Sequence, residues 1–196
     1  MASARKPLAL VTGVGPGTGA SVARRFAQGG YRVAMLARDV HRLEALQDEI
    51  PDAVGIPCDV TDAAALESAI ARIDAPTVVV HNAVGGAFGN FRDIDPVVLQ
   101  RNFEVNTMAL LHLARLTTPA MVAAGEGALI VTGNTSALRG KAAFAGFAPT
   151  KAAQRILAES LARDLGPKGV HVAYLVIDAV LDVPWQRARL KDVRDD

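Results

Sequence analysis

The sequence predicts an α/β domain built on a doubly wound parallel sheet with helices on both faces. Two observations carry this: apolar, β-branched runs bounded by turn residues recur along the chain, and helix-period stretches fill the gaps between them. The runs lie near residues 7–12, 31–37, 53–58, 77–82, 128–133 and 170–177, which makes about six strands, and no seventh is visible. Parallel strands need long crossovers, and helices supply them. Strands that are apolar throughout are expected to be buried on both sides. Asp95 then Pro96 open a long helix over VVLQRNFEVNTMALLHLARL, as N-cap and first helical residue, and Gly166-Pro167 closes a helix containing Ala152 to Leu165. Residues 1–183 read as one domain. From Pro184 onward the chain becomes charged (184–196), which leaves the last strand an open edge.

Composition narrows the function. The chain has 196 residues, 51% of them hydrophobic, enough for one ordinary core. Its 21 Lys+Arg against 20 Asp+Glu give a net charge of +1, too little field to gather a nucleic acid, so no nucleic-acid partner is expected. Cys58 is the only cysteine, so neither an internal disulfide nor a Cys-based zinc site can form, and a reducing cytoplasm suits the chain. The histidines at 41, 81, 112 and 171 are too dispersed to suggest a metal site. The longest apolar runs are far shorter than the roughly 20 residues of a spanning helix, so no membrane partner is expected. The basic start leads into a glycine-rich turn without a small-residue cleavage site, so the mature chain is expected to begin near Met1.

The chemistry begins after the first strand. LALVT is followed by Gly13-Val14-Gly15-Pro16-Gly17-Thr18-Gly19-Ala20 and then by a helix. Glycines suit a turn that must bend tightly and approach a pyrophosphate, whose charge then meets unpaired N–H groups at the helix start. Pro16 contributes no donor. The second strand ends at Ala37 and Arg38, where an NAD site would place a carboxylate for the ribose 2′-hydroxyl. Ala37 cannot do that, whereas Arg38 suits the 2′-phosphate of NADP, so NADP is expected over NAD. Asp59, in PCDVTD, is placed either to accept from an adenine amino group or simply to shape the turn.

Thr12-Gly13 with Gly17 and Gly19, Cys58-Asp59-Val60, His81-Asn82-Ala83-Val84, Asn106 and Lys151 together resemble the short-chain dehydrogenase/reductase family over nearly the whole chain. The resemblance implies a Rossmann-like fold and an NADP-dependent oxidoreductase acting on a carbonyl or alcohol. Thr12, Gly13, Gly15, Gly17, Thr18, Gly19, Arg38, Asp59, Val60, Asn82, Ala83 and Lys151 would then bind the cofactor. The family's Asn-Asn-Ala-Gly segment reads His81-Asn82-Ala83-Val84 here, with Gly85 and Gly86 following. By resemblance, the Asn106 backbone holds a water linking Lys151 to solvent, while Lys151 binds the nicotinamide ribose and lowers the pKa of a neighbouring hydroxyl.

That hydroxyl is missing. Four residues before Lys151, on the same helix face, the family's tyrosine is replaced by Phe147, whose ring has no exchangeable proton. Tyr31 and Tyr174 both look structural. Asn134 stands where the catalytic serine is expected, with Thr135 and Ser136 directly after it. Ile177-Asp178 replace the family's Pro-Gly pair, and Asp182 stands at the nearby threonine position. Three functions stay open: an oxidoreductase with impaired or unconventional proton transfer on a small-molecule substrate, an inactive dinucleotide-binding or scaffold protein, and a non-redox chemistry on the same fold. The resemblance also implies a homodimer or homotetramer paired through the helices around residues 108–124 and 151–165. The tail from Pro184 would begin a substrate-covering segment.

Overall fold

A computed structural model describes residues 5–179, 181, 182 and 187. Six parallel strands form one sheet: β1 (Leu8–Thr12), β2 (Arg32–Ala37), β3 (Ala53–Pro57), β4 (Val78–His81), β5 (Gly127–Asn134) and β6 (Val170–Ile177). Their order across the sheet is β3-β2-β1-β4-β5-β6. The crossovers carry α1 (Thr18–Gln28), α2 (Val40–Glu49), α3 (Ala63–Ala71), α4 (Pro96–Phe103), α5 (Ala109–Ala124) and α6 (Ala148–Leu165). This is the Rossmann-like arrangement expected from the sequence. The chain winds outward from β1 to β3, then returns to start again at β4 beside β1. In open α/β sheets the ligand crevice lies at such a switch, here between the carboxyl ends of β1 and β4.

Side-chain alternation along β1 divides the core. Leu8 and Leu10 pack with Leu66, Leu110, Leu113 and Ala158 on one face of the sheet. Ala9 and Val11 point the other way, onto Ala20, Ala23, Leu43 and Leu46 of α1 and α2. β1 is buried throughout, as an apolar central strand should be. The expectation of two-sided burial fails at the sheet's edges: Val54 of β3 is 40% exposed, and Leu175 and Val176 of β6 are 47% and 45% exposed. An edge strand has one neighbour instead of two, so apolar composition alone does not bury it.

The helix ends follow their local chemistry. Asp39, Asp62 and Asp95 each cap a helix by accepting from a backbone amide two or three residues on, and Pro96 occupies the first turn of α4. Gly125 closes α5 in the left-handed conformation. One expectation needs correction. The long helix from Pro96 is not uniform: a π turn at Glu104–Met108 separates α4 from α5. α6, over Ala148–Leu165, contains the expected Ala152 to Leu165 stretch, with Pro149 in its first turn. Among the described residues no helix is long and apolar enough to cross a membrane. Of the charged tail, only Arg187 belongs to the described residues.

Candidate functional site

At one end of the crevice the glycine turn is shaped by its neighbours. Gly13 has φ +67°, and a Cβ there would lie 2.4 Å from the Ala83 backbone. Asn82 Nδ2 donates to the Gly13 carbonyl at 2.8 Å, tying the end of β4 to the turn. A Cβ on Gly19 would lie 2.6 Å from that same carbonyl. Gly15 differs, since a Cβ there would meet nothing within 4 Å. Gly17 precedes α1 without any side-chain cap, and Thr18 is the first helical residue. The leading amides of a helix have no partner inside it, so this uncapped end is an anion site in waiting.

Two strand ends flank the turn. Arg38 follows β2 and is exposed. Asp59, just beyond β3, accepts from the Thr61 amide at 3.1 Å and its hydroxyl at 2.8 Å through Oδ1, and pairs with Arg101 at 3.1 Å through Oδ2. Partial burial works against the Asp59 carboxylate, but the Thr61 bonds and the charges of Arg101 and Arg38 hold it below its usual range. No sequence motif points to Arg101, which reaches this corner from α4, 42 residues on from Asp59. Val60 buries its side chain in the core.

The other end of the crevice is closed. Lys151 is only 2% exposed, and Nζ donates to the Thr132 carbonyl at 3.0 Å and to Gln154 Oε1 at 2.5 Å. Burial pulls its amine down to about 8. The Asn106 side chain is spent on local bonds: Oδ1 accepts from the Gly85 amide, while Nδ2 donates to the Gly85 carbonyl and to Thr150 Oγ1. The Asn106 carbonyl, to which the resemblance assigns a water for Lys151, is engaged by a side chain of this chain. It accepts from Gln154 Nε2 at 2.7 Å, because Gln154 lies one turn beyond Lys151 and spans the gap between that lysine and the carbonyl. Gln154 is fully buried, and no motif in the sequence marks it as part of this site.

Phe147 lies just before α6, not on its face. Its φ of −126° puts it at the N-cap, where its carbonyl accepts from the Lys151 amide and from Thr150 Oγ1. Its ring packs against Phe88 and over Gly86. Asn134 Oδ1 accepts from the Ser136 amide, starting a short 3-10 turn over Thr135–Ala137, and Thr135 Oγ1 lies 3.3 Å from Asp178. Tyr31 stacks edge-on against Phe26. The Tyr174 hydroxyl donates to the Lys151 carbonyl at 3.4 Å, and its ring occupies the space over Gly133. Both tyrosines are therefore packing residues.

His81 is wholly buried at the end of β4. Nδ1 lies 3.1 Å from Thr12 Oγ1, while Nε2 faces the backbone of Val105 and Asn106 without a hydrogen bond of good geometry. Burial, with the Lys151 charge nearby, pushes the imidazole down to about 4, so it is neutral at ordinary pH.

The same architecture occurs in known proteins. D-erythrulose reductase of Gallus gallus is 32% identical over 165 residues, 84% of this chain and 67% of its own length. A short-chain dehydrogenase structure from Streptomyces avermitilis superposes with a TM-score of 0.84 at 29% identity, covering 88% of this chain and 65% of that one. A metagenomic short-chain oxidoreductase in complex with NADP superposes at 0.83 with 30% identity, covering 89% and 83%. The chain thus spans about two thirds of the length of the first two. A short chain dehydrogenase family profile matches residues 7–191. Since that match takes in the glycine turn, every strand and Lys151, the chain belongs to the short-chain dehydrogenase/reductase family of oxidoreductases.

Proposed function

We propose that this chain is an NADP-dependent oxidoreductase that exchanges hydride with a carbonyl or alcohol group of a small molecule, with impaired proton transfer. The observation that carries the reading is the open glycine turn leading into an uncapped helix, with Arg38 exposed beside it. These residues fit the adenosine half of NADP. Gly13, Gly15, Gly17, Thr18 and Gly19 would cradle the pyrophosphate over the buried Thr12, whose hydroxyl meets His81, and Arg38 would meet the 2′-phosphate in a charge-assisted bond. Asp59 accepts from the adenine amino group, and Asn82 and Ala83 wall the site.

The bound nucleotide supplies or accepts the hydride. In the reducing direction the former carbonyl oxygen then needs a proton, and Phe147 has none to give. Solvent water gives the proton and leaves hydroxide, a route that forgoes the roughly 10²–10⁴-fold of a positioned acid. Ser136, Thr135 or the Asn134 amide, whose nitrogen is not engaged by the Ser136 turn, orients the carbonyl. Asn106 and Lys151 hold the floor of this end. A second reading, an inactive dinucleotide-binding protein, is favoured by one observation: Lys151 Nζ is engaged by protein oxygens rather than facing the crevice. The proposal includes a cytoplasmic homodimer or homotetramer paired through α5 and α6, which sedimentation tests.

Fluorescence titration with NADPH and NADH tests the central claim. We expect NADPH to bind more tightly than NADH, and Arg38→Ala to weaken NADPH alone by about ten- to a hundredfold, the worth of a charge-assisted bond. Failure of both nucleotides to bind overturns the proposal. Binding without turnover of any carbonyl, D-erythrulose first because a relative bears its name, selects the inactive reading.

A further inference from the structure

We propose that Gln154 is a positioning residue whose side-chain amide clamps Lys151 Nζ to the Asn106 carbonyl and seals that ammonium from solvent protons. The clamp deepens the reading of impaired proton transfer, but it belongs to the chain itself and not to any bound nucleotide. An ammonium needs acceptors and a carbonyl needs a donor, and a primary amide offers one of each at opposite corners. Gln154 is used in that sense: Oε1 accepts from Lys151 and Nε2 donates to Asn106. An aliphatic side chain in this place would take from the ammonium one of its two acceptors and from the carbonyl this donor. A carboxylate would serve the ammonium but turn an acceptor toward the carbonyl.

The surroundings close the remaining routes. Gln154, Asn106 and Thr150 are wholly buried, and a second Lys151 proton goes to the Thr132 carbonyl. Thr132 Oγ1 in turn bonds Asn82, whose amide holds the Gly13 carbonyl. The clamped lysine is thus linked to the glycine turn through Thr132 and Asn82. On its other side Asn106 reaches Thr150, which donates to the Phe147 carbonyl. Of the titratable side chains beside this group, His81 is held neutral by burial and by Lys151 itself, and burial raises the Tyr174 phenol, so neither is charged at pH 7. With its amine near 8, Lys151 stays a cation at pH 7, and its bonds to two oxygens are charge-assisted.

Solvent exchange of the lysine Hζ protons, followed by NMR on protein labelled with ¹⁵N-lysine, tests the clamp without any nucleotide. Lys151 is expected to exchange at least about tenfold more slowly than the exposed Lys141 and Lys168. Gln154→Ala should admit water and raise the Lys151 rate about tenfold or more, while Gln154→Glu, which still engages the ammonium, keeps it slow. Equal rates for Lys151 and Lys168 in the native protein overturn the proposal, and so does an unchanged rate in Gln154→Ala. If Gln154→Ala fails to fold, the Gln154→Glu rate and the native rate each still suffice to overturn the proposal, by fast exchange of Lys151 in either. Because the readout is of the free protein, a chain that binds no nucleotide defeats the proposed function and leaves the clamp standing.

Discussion

Around the β1–α1 turn the protein leaves its own polar groups unfinished: the helix start has no cap, Gly15 faces open space, and Arg38 stands exposed. Around Lys151 the reverse holds, and Gln154, Asn106, Thr150 and Thr132 satisfy one another within the fold. Unsatisfied donors at an exposed edge cost little and wait for a ligand, whereas unsatisfied buried groups cost about 1–3 kcal/mol each and tend to be paired internally. The first region is therefore built for a partner from outside. The second is built for its own stability, which a site of proton traffic cannot fully be.

Restoring the missing chemistry should give the largest effect. Phe147→Tyr supplies a phenol four residues before Lys151, yet with the lysine clamped we expect it to raise NADPH oxidation only slightly. The double variant Phe147→Tyr with Gln154→Ala should gain about 10²–10⁴-fold, the usual worth of a positioned general acid. Steady-state rates on one carbonyl substrate distinguish the cases. A full gain from the single variant would mean that only the phenol was missing at the closed end.

Backbone crowding separates the two ends next. Gly13→Ala forces a residue with φ +67° and pushes its methyl into the Ala83 backbone, which cannot yield cheaply. A loss of about 3 kcal/mol or more in urea unfolding is expected from the left-handed conformation and the clash together. Gly133→Ala should cost as much at the closed end, because a Cβ there would sit 2.0 Å from Tyr174 Cζ.

Acid should weaken the closed end first. The folded state holds His81 neutral down to about 4, while the unfolded chain takes up its proton near the ordinary 6.5. Between those values the unfolded state binds more protons, so stability falls as pH drops from about 6.5 to about 4. The loss amounts to about 3 kcal/mol at the lower limit. His81→Asn removes this dependence, and urea midpoints at pH 7 and pH 4.5 should converge relative to the native chain. If the two proteins lose stability in parallel, His81 does not control that window.

How much of this the sequence could tell follows from range. The strand periods, the aspartate caps and the glycine turn are written within a few residues, and the structure places the six strands within a residue of where the pattern put them. Gln154 and Arg101 were invisible because each acquires its role from a residue 48 or 42 positions away, and helical periodicity gives both only as polar residues. Phe147 was legible as the absence of a phenol but misplaced on a helix. Spacing from Lys151 fixes a face only if the intervening residues are helical, and Phe147 is the cap. The apolar pattern likewise could not tell central strands from edge strands, since sheet order is not a local property.

The smallest effect on stability is expected where the turn serves a ligand rather than the fold. Gly15 lies outside the left-handed region, and a methyl there touches nothing. Gly15→Ala should therefore change unfolding free energy by no more than about 0.5 kcal/mol, as at an ordinary surface position. The empty space it fills is the space a pyrophosphate needs for close approach to the backbone. Nucleotide affinity should consequently fall while stability holds, the opposite of Gly13→Ala, where loss of fold comes first. Unfolding and NADPH titration on the two variants together decide it. If Gly15→Ala binds NADPH as the native chain does, the open end of the crevice is not where the phosphates lie.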